Sequence, residues 1–303
     1  MIFSTDIRNP EGPVALPDGS WLIVEGAPER GCVTQLSADG KSRRTVSKTG
    51  RPNGLAVDAD GFIWVAESKE PSLLRVSMDG NCEVIATGCK GEPFLFPNDL
   101  CFGPDGALYL TDSGVNSATF APNNQIRPDY LEIEYDGRVY RIDPKTGAVA
   151  LLDRGIRFTN GIAFGPDDLL YVNETIGGNI YRYSSANGVP AGARQLFGNV
   201  VRPDAPPGWV GPDGMAFGED GNLYVAAFGQ GDVTVLGRDG QVVRRIATSG
   251  MLPTNLAFAL PGEHRIHVTE YKNAQMETFA VSCDGLRLWD GRTTRQRSGS
   301  QVA

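Results

Sequence analysis

Residues 98–112 read NDLCFGPDGALYLTD. A polar residue, Asn98, opens a short apolar run. Asp105-Gly106 interrupts it, and a second apolar run ends at Asp112. Asp-Gly between two apolar runs is a strong β-hairpin signal. The same pattern starts again at Glu11, Asn53, Asn160, Asp213 and Thr254. Each of these six anchors stands seven residues before the first turn residue, namely Asp18, Asp60, Asp105, Asp167, Asp220 and Pro261. The starts are 42, 45, 62, 53 and 41 residues apart, near the ~40–50-residue period of blade repeats.

Further turns at Asp39-Gly40, Asp79-Gly80, Asn187-Gly188, Asp239-Gly240 and Asp284-Gly285 close a second hairpin in most units. Two hairpins make a four-stranded sheet, which is one blade. The pattern therefore predicts an all-β fold, a six-bladed β-propeller with four antiparallel strands per blade. An open sandwich would not repeat one anchor in register. The expected propeller domain spans residues 1–290, and the Arg/Ser/Gly-rich residues 291–303 are expected to be a disordered tail. Arg292, Arg295 and Arg297 read as a solvated end. Whether residues 1–7 join the last blade is left open.

The phase of the repeat places the anchors. If the innermost strand runs from anchor to turn, all six anchors lie at one end of the central channel. The returning strands end on the same face at Glu25, Glu67, Asp112, Glu174, Ala227 and Glu270. Two long segments, residues 114–136 and 198–212, leave from or lead into that face. They read as a lid or substrate wall, or as decorated surface loops.

Composition narrows the class. The 303 residues are 41% hydrophobic and 21% charged, ordinary values for a globular chain. A net charge of -8 argues against nucleic acid, which needs a basic face. The five cysteines include no C-x-x-C pair, the first residues form no secretory leader, and no apolar run reaches membrane-spanning length. Reduced thiols, a cytoplasmic location and no membrane partner are the expectation.

The inner ring, Glu11, Asn53, Asn98, Asn160, Asp213 and Thr254, offers only oxygen ligands. Such donors suit one hard divalent cation, and two carboxylates balance its charge. Neutral amide oxygens favour Ca2+, with Mg2+, Mn2+ or Zn2+ as alternatives. The competing reading is that these residues merely cap strand starts.

The strings PNDLCFGPDGALYLTD, TNGIAFGPDDLLYV and PDGMAFGEDGNLYVA resemble the senescence marker protein (regucalcin)/gluconolactonase family. That family is distantly related to paraoxonase and diisopropylfluorophosphatase. The resemblance runs from about Glu11 to Leu288 and implies a six-bladed propeller with a catalytic divalent cation, many members hydrolysing lactones. By motif, Glu11, Asn160 and Asp213 resemble the metal ligands of the first, fourth and fifth blades. Asn98 resembles a third-blade asparagine that binds metal or substrate. Asn53 and Thr254 are expected to face substrate or to support the ligands.

One departure bears on specificity. Sugar-lactonase members often carry an arginine two residues before the third-blade asparagine, and here that residue is Phe96. With Phe94 and Trp209, Phe96 is expected to form an apolar wall, unless it only packs between blades. A sparsely hydroxylated lactone or an ester then fits better than gluconolactone.

The resemblance implies water attack on a carbonyl polarised by the cation. Asp213 is the first candidate base and Asp99, beside Asn98, the second. No G-x-S-x-G is present, and of the two histidines His267 occupies a position held by Trp64, Tyr109, Tyr171 and Tyr224 in sister repeats. Competing functions are a phosphotriesterase-type hydrolase and a non-catalytic calcium-binding or interaction propeller.

Overall fold

The computed structural model describes residues 1–122, 125–186 and 188–293. Six four-stranded antiparallel sheets form the blades of a propeller. The innermost strands are Pro10–Ala15, Pro52–Val57, Pro97–Phe102, Thr159–Phe164, Gly211–Phe217 and Pro253–Phe258. Each contacts the next around the channel, and the sixth meets the first. Blade 6 takes its outer strand from the other end of the chain: Ile2–Thr5 pairs antiparallel with Gln275–Ala280. This settles the open question about residues 1–7. The one helix among the described residues is the four-residue Ser117–Phe120. None of their helices is long and apolar enough to cross a membrane, and all five cysteines are free thiols.

Alternation along the strands fills the spaces between blades. Leu22, Val24, Leu55 and Val65 pack between blades 1 and 2, and Leu108, Leu110, Trp64 and Leu73 between blades 2 and 3. At the seam, Ile7, Trp21, Ile23 and Met276 join blade 1 to blade 6. A fully buried Leu or Ile contributes ~1.5–3 kcal/mol, so each interface is held independently of the site.

Two repeated side-chain contacts fix the register read from the sequence. The hydroxyls of Tyr109 and Tyr171 each donate 3.0 Å to turn residues Asp105 and Asp167. Tyr224 makes the same contact with Asp220 at 3.4 Å. In blade 6 the equivalent His267 is buried against Phe3 and Trp21. The acids ending the second strands are backbone clamps. Glu25, Glu67, Asp112, Glu174 and Glu270 accept N–H bonds from Arg8, Arg51, Phe96, Arg157 and Leu252. These bonds hold the chain just before five of the six inner strands; blade 5 has Ala227 at the position of the acid.

The expected turn at Asn187-Gly188 rests partly on Asn187, which lies outside the described residues. So do residues 294–303 of the expected tail, with Arg295 and Arg297. Arg292 pairs with Asp290, and Trp289 packs against the clusters of blades 2 to 4.

Candidate functional site

Each innermost strand breaks register at its anchor. The irregularities fall between Glu11 and Val14, Pro52 and Leu55, Pro97 and Leu100, Thr159 and Ile162, Pro212 and Met215, and Pro253 and Asn255. A bulge bends its strand and re-aims side chains. Proline precedes five of the six anchors, and at a strand start its missing N–H costs no ladder bond. Glu11, Asn53, Asn98, Asn160, Asp213 and Thr254 all line one cavity of about 340 Å³ at the channel mouth.

The backbone oxygens freed by the bulges are taken up by the adjacent blade. Ser113 donates to the Thr159 carbonyl at 2.9 Å, and Thr175 to that of Pro212 at 2.9 Å. With their protons so committed, these hydroxyls can only accept from the amide nitrogens of Asn98 (2.9 Å) and Asn160 (3.2 Å). Both asparagines are thereby left with Oδ1 for a cavity occupant. Thr254 spends its hydroxyl on the Pro10 carbonyl, 2.7 Å away across the ring seam.

The residues one past the anchors form a second layer: Gly12, Gly54, Asp99, Gly161, Gly214 and Asn255. Asp99 and Asn255 occupy it because their neighbours are glycines. A Cβ on Gly54 would lie 2.4 Å from Asp99 Oδ1, and one on Gly214 2.0 Å from Asn255 Oδ1. Asn255 Oδ1 accepts from Leu256 N–H at 2.8 Å, which turns its NH2 toward the carboxyls of Glu11 and Asp99. The sequence reading fixed on Thr254 and missed Asn255; the column next to the anchors carried the signal.

Glu11, Asp99 and Asp213 are electrostatically uncomfortable together. Burial pushes Asp99 up to about 7, against the pull of the Leu100 N–H. Burial and then the Asp99 charge raise Glu11. Burial, Glu11 and Asp99 hold Asp213 well above the usual carboxylate range, with the Asn160 amide opposing. No lysine or arginine contributes to any of the three. A divalent cation would supply the missing charge, so the donor set fits one. Among the described residues no three His, Cys, Asp or Glu side chains could hold a metal by themselves; the asparagine oxygens are needed.

Over this polar floor stands an aromatic wall. Phe96, Phe120, Phe158 and Trp209 line the cavity and pack as one cluster, with Phe158 and Trp209 ring centres 4.8 Å apart. Phe120 and Trp209 come from the two long segments, which therefore line the cavity. Phe94 does not join them. The short pairing of Gly88–Cys89 with Glu92–Pro93 leads it into the core between blades 2 and 3, against Tyr140. Arg51 and Tyr271 also reach the cavity and were not expected. A separate depression of about 420 Å³, lined by residues 85–93, Gly147 and Val149, holds none of the ring residues.

A family model described as the SMP-30/gluconolactonase/LRE-like region matches residues 10–272. The chain is 30% identical over 281 residues to a gluconolactonase of Zymomonas mobilis, covering 86% of this chain and 76% of that protein. It is 30% identical over 307 residues to diisopropyl-fluorophosphatase of Loligo vulgaris, covering 94% and 92%. The solved structure of a calcium-binding protein, regucalcin, of Agrobacterium tumefaciens matches with a TM-score of 0.73 at 20% identity, covering 96% and 93%. At that identity the likeness bears on the fold.

Proposed function

Since the chain belongs to the SMP-30/gluconolactonase/LRE-like family, we propose that its channel site is that of a divalent-metal-dependent hydrolase opening lactones or esters. The observation that carries this reading is the trio Glu11, Asp99 and Asp213, buried together without a basic counter-charge. Glu11, Asn160 and Asp213 would hold the cation, with Asn98 as a fourth direct or water-mediated partner. Oxygen donors that include two neutral amides favour Ca2+ over Mg2+, Mn2+ or Zn2+. When bound, the cation polarises the substrate carbonyl and offsets the charge that develops on its oxygen.

The chain's own groups do the rest. Asp213 faces the cavity and is the first candidate to take the proton of the attacking water. Asp99, one layer deeper with Oδ1 engaged by the Leu100 N–H at 2.9 Å, is the second. Phe96 and Trp209 exclude water and hold the apolar part of the substrate, while Asn53 and Thr254 border it. The test is turnover of a lactone panel before and after chelation. Activity should vanish with chelator and return with Ca2+; full activity in the stripped protein sinks the reading.

A second reading, hydrolysis of a phosphotriester or phosphofluoridate, is favoured by 30% identity to diisopropyl-fluorophosphatase over nearly both full lengths. The same panel with a phosphotriester added separates the two. A non-catalytic calcium-binding propeller would bind the cation and turn over neither.

A further inference from the structure

Arg51 is the only lysine or arginine lining the cavity among the described residues. Its backbone is fixed on both sides. The N–H donates to Glu67 Oε1 at 2.7 Å, and the carbonyl accepts from the backbone N–H and the hydroxyl of Ser68 at 3.0 and 2.9 Å. Its guanidinium lies over the Phe96 ring, 5.4 Å from the centroid. No described carboxylate comes within ion-pair distance of it; Glu67 attracts it only at longer range. A guanidinium stacked on an aromatic face keeps its edge N–H donors free, and that edge matches a carboxylate bidentately.

We infer that Arg51 is a specificity residue that pairs with a carboxylate carried by the substrate, so that the preferred substrate is a lactone bearing an acid group on or near its ring. This rests on the hydrolase reading. The carbonyl would be held at the polar floor and the acid group at the rim, two fixed points on one small molecule. Near Glu11, Asp99 and Asp213, in a chain of net charge -8, an anionic substrate needs a local cation at its point of entry. Arg51 stands there. A cavity of about 340 Å³ suits a compact ligand.

The experiment compares γ-butyrolactone-γ-carboxylic acid with its carboxamide, by kcat/KM, in the wild type, Arg51→Met and Arg51→Lys. The wild type should favour the acid. Arg51→Met should lower the acid-to-carboxamide ratio ~10- to 100-fold, the scale of a charge-assisted hydrogen bond, and Arg51→Lys should restore part of it. Calorimetry of cyclopentanecarboxylate against cyclopentanecarboxamide gives the same comparison without turnover. A ratio near one in the wild type, or one unmoved by Arg51→Met, overturns the inference. If neither lactone is opened but the carboxylate binds in an Arg51-dependent way, the anion site stands and the hydrolase reading falls.

Discussion

The Ser113 hydroxyl accepts the amide N–H of Asn98 at 2.9 Å because its own proton is given to the Thr159 carbonyl. One hydroxyl thus sets which end of the Asn98 amide faces the channel. Removing it leaves a buried N–H and a buried carbonyl without partners, which costs ~1–3 kcal/mol for each such group. Ser113→Ala should therefore lower the melting temperature and weaken Ca2+ binding together. Calorimetric titration decides it. Unchanged affinity in a destabilised protein would mean that Asn98 is oriented by something else.

The carboxylates offer a sharper test of the donor set. Glu11→Ala and Asp213→Ala each remove a charged oxygen. Loss of an outer partner of a metal ligand typically costs ~10- to 100-fold in affinity, and loss of a charged ligand should exceed that. Both variants should lose Ca2+ affinity and activity in parallel. If the double variant binds Ca2+ as the wild type does, the assignment fails.

The fold was legible because its signals are local and repeated. An Asp-Gly turn with an aromatic residue four positions later, as in Asp60 and Trp64, Asp105 and Tyr109, or Asp220 and Tyr224, marks one hairpin without reference to the rest of the chain. Ring closure was not legible, since Ile2–Thr5 meets Gln275–Ala280 across nearly the whole sequence. At the site, the anchors could be aligned, but a bulge places two adjacent residues in the channel. That is why Asn255 was overlooked beside Thr254. Phe94 and Phe96 share strand parity, yet the turn at Lys90-Gly91 sends them to different places. Arg51 enters the cavity from the second blade, out of line with the third-blade position that Phe96 holds, so the alignment of anchors does not point to it.

His267 gives the stability a pH dependence. Burial, and then the charge of Arg265, depress its imidazole to about 3 from an ordinary 6.5. The unfolded chain therefore binds a proton that the folded chain refuses. The stabilisation is complete above about pH 6.5 and is lost as pH falls toward about 3. His267→Phe keeps an aromatic ring between Phe3 and Trp21 and removes the proton site. Its stability relative to the wild type should rise as pH is lowered from 7 to 4. Parallel denaturation curves across that range would show that His267 already protonates in the fold.

Residues 2–5 should matter more than their exposure suggests. Deleting them removes the outer strand of blade 6 and leaves the edge of Gln275–Ala280 unpaired, a template for association. The truncated protein should melt several degrees lower and aggregate on standing. A monomeric protein of unchanged melting temperature would show that Ile7 alone, fully buried at the seam, suffices to close the ring.

The aromatic wall makes the last prediction. Apolar surface gives an alkyl or aryl group a place to shed water, roughly 25 cal/mol per Å² buried. It offers nothing to sugar hydroxyls, whose dehydration costs free energy when they stay unpaired. Sparsely hydroxylated lactones should therefore be opened with higher kcat/KM than gluconolactone, after correction for spontaneous opening. Phe96 is a poor position for testing the wall. It is 7% exposed, packs edge-on against Phe158 and lies under Arg51, so a new charge there would disturb the whole cluster. Trp209 is half-buried and reaches the cavity from residues 198–212. Trp209→Ala should cost dihydrocoumarin about 10-fold or more, because an aromatic pair adds ~0.5–1.5 kcal/mol beyond its area. It should cost δ-valerolactone less, since the smaller ring buries less against the indole. Equal losses for the two lactones would make Trp209 a structural cover, and a clear preference of the wild type for gluconolactone would overturn the apolar-wall reading outright.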